Sequence, residues 1–222
     1  NILCSAAGSA LHRDLSRDVL EYIMSLSGVG EVVAGTSREK MQVNILRSYV
    51  EEHVDEVLLE PVEVSAWDEH YCLLHIDGYT DSCAIYPPFA GDVDICVDRK
   101  QIVFVDSLND VEKLGERLHD KLVVVKLFGD VNLAAVLYYI ISGYSPLAVV
   151  FMDKHEALRR VVVVGELIPT YASVPPPRTP ALHVRYSSGL KMISANSVRI
   201  QAKAELREGY GYNVIALSLI HI

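Results

Sequence analysis

The chain has 222 residues, half of them hydrophobic and 22% charged, which is enough apolar material for a core and excludes intrinsic disorder. Its 20 Lys and Arg face 29 Asp and Glu, a formal net charge of −9, and so acidic a surface repels phosphate backbones and argues against nucleic acid as a partner. No apolar run reaches the roughly 18–20 residues of a membrane span, and four cysteines without a CxxC pair argue against both a disulfide scaffold and a structural zinc site.

The chain opens Asn1-Ile2-Leu3-Cys4 without an initiator Met, which leaves a leader upstream an open matter. Leu15, Val19, Leu20, Ile23 and Met24 recur at helical spacing over residues 14–26, and Gly28-Val29-Gly30 ends that helix. Thr36-Ser37-Arg38-Glu39 reads as a capping box that starts a second helix, with Met41, Ile45, Leu46, Tyr49 and Val50 as its apolar face. Residues 56–67 read as an extended stretch, with Pro61 marking an edge or a bulge.

From Tyr71 the texture changes. Residues 71–76 form a short strand, Asp77-Gly78 is a hairpin signal, and 93–97 and 102–105 are further strands. A helix over 109–118 leads to a continuous apolar strand at 121–127, the pattern of a strand covered on both faces. An apolar helix over 131–142, closed by Gly143, and a second buried strand at 147–152 complete a right-handed βαβ unit. A strand at 161–164, a rigid loop around Pro175-Pro176-Pro177 and Pro180, a short helix at 187–195, and strands at 198–206 and 212–216 follow. The elements predict an α/β (α+β) fold.

The end of the chain invites a separate expectation. Leu217-Ser218-Leu219-Ile220-His221-Ile222 is what the string CTGTCTCTTATACACATC encodes, which closes a widely used transposon sequencing adapter. These last six residues are therefore expected to be a translated adapter on an N-terminal gene fragment.

Few residues suggest chemistry. His75-Ile76-Asp77 has the His-x-Asp form of a metal-ligand pair, but the strand runs straight into the Asp77-Gly78 turn and no second ligand set follows. Asp153, His155 and Glu156 follow a buried strand, where α/β sites often lie, yet polar residues gather at strand ends anyway. Gly28-Val29-Gly30 follows a helix rather than a strand and lacks phosphate-binding geometry. Cys72, Cys83 and Cys96 fall within one region; a disulfide between two of them stays open, with buried free thiols slightly preferred. Ser187-Ser188 has no GxSxG elbow around it, and Trp67, with Tyr71 nearby, reads as a core anchor. No catalytic or metal-binding residue is assigned, and the substrate-binding residues are not identified.

The order of several segments resembles a protease-associated domain. Asp120-Lys121-Leu122-Val123-Val124-Val125, Leu133-Ala134-Ala135, Leu147-Ala148-Val149-Val150-Phe151, Thr179-Pro180-Ala181-Leu182-His183-Val184 and Ser188-Gly189-Leu190-Lys191-Met192 follow that family's order and spacing. Phe128-Gly129-Asp130 stands where the family often has an Arg-Gly-x-Cys turn. The flanks, Ala34-Gly35-Thr36-Ser37-Arg38-Glu39, Val62-Glu63-Val64-Ser65-Ala66-Trp67 and Tyr212-Asn213-Val214-Ile215-Ala216, resemble the two-zinc aminopeptidase family that includes glutamate carboxypeptidase II.

The resemblance implies a protease-associated sheet-and-helix domain inserted into an incomplete α/β zinc-exopeptidase domain. Residues 1–70 would be the first helices and edge strand of the catalytic domain, 71–206 the inserted domain, 207–216 the return strand and 217–222 the adapter. It further implies a secreted or membrane-exposed parent acting on peptides with two zinc ions, whose ligands all follow the Asn-Val-Ile-Ala strand. No ligand or catalytic residue is thus carried onto this chain, and the fragment is expected to bind no metal and be inactive. Two other functions compete: a receptor-like binding protein with this architecture, and a stand-alone α/β enzyme using Asp153 and His155.

Overall fold

The computed structural model describes residues 17–87, 89–126, 131–152, 154–160 and 178–218. The expected strand at 161–164 and the Pro175 to Pro177 loop lie outside these residues. The chain divides into two compact units, one of Asn1–Ala66 with Glu208–Ile222 and the other of Trp67–Arg207.

The first unit contains helix α1 (17–27), helix α2 (Ser37–Glu51), the first half of strand β1 (Glu56–Ile76) and the last part of strand β9 (Ser197–Leu217). Thr36 caps α2 as its sequence predicts, its hydroxyl accepting the Glu39 N–H at 3.4 Å. The reciprocal half of the capping box does not form. The Glu39 carboxylate passes Thr36 and accepts the N–H of Gly35 at 2.6 Å and that of Tyr212 on β9 at 3.2 Å. Gly35 makes this approach sterically workable. Its φ is +79°, and a Cβ there would lie 2.6 Å from the Ala66 Cβ.

The apolar stripe predicted for α1 exists but is uncovered: Val19, Leu20, Ile23 and Met24 are all exposed. On α2 the buried residue is Val43, while Met41, expected on the core face, is exposed.

The second unit is built on a five-stranded sheet ordered β3-β8-β7-β6-β5. These are Ala84–Ile85, Ala181–Val184, Ala148–Met152, Leu122–Lys126 and Ile102–Val105. β5 to β8 run parallel, with registers such as Val123 opposite Val149, and β3 joins antiparallel to β8. Leu122 to Val125 and Ala148 to Met152 are fully buried, which is why both strands read as unbroken apolar runs. Alternate residues serve opposite faces. Val123, Val125, Val149 and Phe151 pack with helices α3 (Leu108–Leu114) and α4 (Val131–Ser142), through Val111, Leu137 and Ile141. On the other side Met152 lies against Gly189 of helix α5 (Tyr186–Ser194), where a Cβ would come within 2.9 Å of the Met152 Cβ. The helix predicted at 109–118 is α3 followed by a 3-10 turn at Gly115–Leu118.

The other sheet is ordered β2-β1-β9-β4, with β2 Tyr79–Ser82 and β4 Gly91–Asp98. Here the structure corrects the sequence reading. The stretches predicted at 56–67 and 71–76 are one strand, β1, and those at 198–206 and 212–216 are one strand, β9. The Asp55 N–H bonds Leu217 O at one end and the Asp77 N–H bonds Ser197 O at the other, so the two long strands run antiparallel. β2 pairs only with Leu73 to Ile76, so near Pro61 no strand among the described residues occupies that side of β1.

Candidate functional site

The His75 and Asp77 pair is divided by the turn between them. Asp77 and Gly78 both take positive φ, 45° and 88°, which closes the β1–β2 hairpin with Ile76 opposite Tyr79. His75 Nδ1 lies 2.9 Å from the Thr80 hydroxyl. The Asp77 carboxylate turns to the start of β9, accepting the Asn196 N–H at 2.9 Å and the Ser197 N–H at 2.8 Å. These backbone bonds, Asn196 first, hold the Asp77 pKa below its ordinary value. The two side chains do not converge, and Asp77 works as a clamp on the chain entering β9.

The polar residues after β7 do not assemble a site either. Asp153 lies outside the described residues. Glu156 accepts the backbone N–H of Ser187 at 3.1 Å and its hydroxyl at 2.8 Å, serving the orphan donors of the first turn of α5. His155 contributes its carbonyl to the Tyr186 N–H at 3.2 Å. β5, β6, β7 and β8 follow one another across the sheet in one direction, so no topological switch opens a crevice at their carboxyl ends. Ser188 is fully buried and donates its hydroxyl to Asp81 at 2.5 Å, an arrangement for packing rather than nucleophilic attack. Asp81 also pairs with Arg185.

The cysteines correct the preference for free thiols. Cys72 and Cys83 form a disulfide with Cα atoms 5.0 Å apart, and Cys96 is free and exposed. Trp67 is 1% exposed with its indole N–H on Phe89 O at 2.8 Å, as expected of an anchor, whereas Tyr71 is exposed.

A polar constellation around Arg160 joins residues distant in the sequence, and no sequence pattern announces it. Arg160 Nη2 lies 2.6 Å from Glu69, its Nε donates to Ile85 O at 2.9 Å, and its guanidinium stands 5.2 Å over the Trp67 ring. Glu69 also accepts the Ile85 N–H at 2.8 Å. Burial lowers the Arg160 pKa to about 10, so it remains a cation at neutral pH. These bonds tie β1, the residues of β3 and Arg160 together as a staple. Among the described residues no three His, Cys, Asp or Glu side chains gather as metal ligands.

No protein-family model matches the sequence, and no curated protein matches it. Solved structures do share its fold. BSAP, a zinc aminopeptidase from Bacillus subtilis, superposes with a TM-score of 0.63 at 14% identity, over 88% of this chain and 46% of its own. A peptidase M28 precursor from Shewanella amazonensis gives 0.61 at 17% identity, over 88% and 49%. An aminopeptidase from Aneurinibacillus gives 0.56 at 14% identity, over 88% and 46%. The chain has the mixed α/β fold of part of these aminopeptidases and spans about half their length. No helix among the described residues is long and apolar enough to cross a membrane, which leaves strand-built membrane proteins aside.

Proposed function

We propose that the chain is the N-terminal part of a zinc-dependent exopeptidase of the aminopeptidase kind. The unit of Asn1–Ala66 and Glu208–Ile222 is the incomplete catalytic domain, and the unit of Trp67–Arg207 is the protease-associated domain that acts in lid closure and substrate selection. The peptide substrate and the two zinc ions belong to the completed protein. The donors for zinc lie in sequence beyond this chain, and the chain alone is inactive.

The supporting observation is the apolar surface of the first unit. Val43 and Ala66 are its buried hydrophobic residues among those described, while Leu20, Ile23, Met24, Met41 and Tyr210 are each more than half exposed. So much exposed apolar surface among the described residues of the unit suits a partner that covers it. The remaining half of a catalytic domain supplies one, and the half-length likeness to aminopeptidases agrees.

The test extends the chain with the coding sequence that follows Ala216 in its source gene and measures hydrolysis of leucine p-nitroanilide. The expected result is hydrolysis by the extended protein, abolished by 1,10-phenanthroline and restored by zinc, and none by the 222-residue chain. An extended protein without such activity overturns the reading and favours a receptor-like binding protein.

A further inference from the structure

The second unit carries an open groove of about 510 Å³ beside the edge strand β5, lined by Lys100, Val103, Leu114, Glu116, Arg117, His119 and Lys121. Its volume falls within the range of ligand sites. The groove is made by three adjacent pieces of chain. Lys100 comes from the 3-10 turn before β5, Val103 from β5 itself, and the rest from the end of α3, at Leu114, and the segment that links α3 to β6.

Its charge runs against that of the molecule. In a chain with nine more acidic than basic residues, Lys100, Arg117 and Lys121 converge here, and none of them has a carboxylate within 4.0 Å among the described residues. Lys121 Nζ donates to the Lys100 carbonyl at 3.4 Å, which holds the rim together without neutralising it. Glu116 is the one lining carboxylate, and Asp120 outside the lining is engaged by His119 at 3.1 Å. The same lining includes the half-buried side chains of Val103 and Leu114, both packed on the core.

We propose that this groove binds a short peptide segment in which acidic and apolar residues alternate. Cations without a carboxylate partner, beside two aliphatic side chains in one lining, match carboxylates that neighbour an aliphatic side chain. A bare inorganic anion would use the cations and leave Val103 and Leu114 wet. Charge complementarity of this kind sets partner choice and encounter rate. The assignment goes beyond the peptidase reading and stands or falls without it, because it concerns binding by the chain as it is.

The test measures fluorescence anisotropy of a labelled Glu-Leu-Glu-Val-Glu peptide with the full chain at low salt. The expected result is saturable binding that weakens with added salt, with the Gln-Leu-Gln-Val-Gln counterpart about tenfold weaker or worse. Lys100→Glu with Arg117→Glu, two exposed positions, should lose about tenfold in affinity. Lys203→Glu, which changes net charge away from the groove, should keep it. Trp67 fluorescence confirms that each variant is folded. Equal binding of the neutral peptide, unchanged affinity in the groove variant, or competition by citrate as effective as by unlabelled peptide would each overturn the proposal.

Discussion

Glu69 on β1 and Arg160, far apart in sequence, form a largely buried ion pair at 2.6 Å, with side-chain exposures of 17% and 14%. Arg160 is largely out of water, and that carboxylate is one of the groups that support its charge there. Glu69→Ala should destabilise the second unit by about 3 kcal/mol, because it breaks a largely buried ion pair and removes the acceptor of the Ile85 N–H. Guanidinium unfolding followed by Trp67, the single tryptophan, reads this directly, since the ring lies under the guanidinium. The double variant Glu69→Leu with Arg160→Met should recover much of the loss. A single-variant cost below that of an exposed ion pair would contradict the burial argument.

The acid limb of stability should depend on Asp77 and Asp94. Asp77 is held low by the backbone N–H groups of Asn196 and Ser197, and Asp94 by its hydrogen bonds to Arg199. Both pKa values are lowered in the folded chain, so the unfolded chain binds protons first as pH falls. Their stabilisation is full above the ordinary aspartate value of about 3.9 and is lost as pH drops through the lower folded values. Asp77→Asn should lower Tm at pH 7 and flatten the fall of Tm below about pH 4. An identical pH profile for variant and parent would refute the assignment.

The Cys72–Cys83 bridge closes a short loop that ties β1 to the residues leading into β3. Replacing both cysteines by Ala should cost about 2–3 kcal/mol, chiefly by freeing the unfolded chain. Both half-cystines are buried, so reductant added to the native protein should act slowly and reductant added in denaturant should act fast. Thermal unfolding with and without dithiothreitol checks both.

Gly189 has no room to grow. A Cβ there would fall 2.9 Å from the Cβ of Met152 at the end of β7, so Gly189→Ala should cost about 1–3 kcal/mol through overpacking. Combining it with Met152→Ala removes the Sδ that the new Cβ would meet but keeps the Met152 Cβ at 2.9 Å, so it should recover only part of the loss while adding a cavity cost, and a double-mutant cycle would show the coupling.

The exposed stripe on α1 can be tested alone. Leu20→Lys with Met24→Lys should change unfolding free energy by less than about 0.5 kcal/mol per site, because both side chains already face solvent. A large loss of stability would show that the stripe is covered within the chain.

The sequence disclosed the second unit better than the first. β6, β7 and α4 were legible because a parallel strand covered on both faces leaves an unbroken apolar run, and an apolar helix between two such runs has few alternatives. The apolar pattern of β1 reads as two pieces because Asp68-Glu69-His70 interrupts it, and Glu69 is accommodated there by Arg160 and the Ile85 N–H. That partnership, the Asp81 cluster and the disulfide join distant residues, and periodicity carries no such information. The capping box failed for a related reason: the Glu39 carboxylate found better-placed donors in Gly35 and Tyr212 than in its own cap residue.

The two long strands have a consequence for how the molecule is made. β1 leaves the first unit at Ala66 and β9 returns to it at Glu208, so everything between is translated before the first unit can be completed. A nascent β1 has half its hydrogen-bonding edge waiting on a strand not yet synthesised. Once the inserted unit folds, its antiparallel ladder brings the two crossing points side by side, and the entropy of closing that very long loop has already been met. The insertion thus acts as an internal splint. Substitutions that slow its folding should lengthen the time the first unit's apolar segments stay exposed during synthesis, even where the finished protein is unchanged.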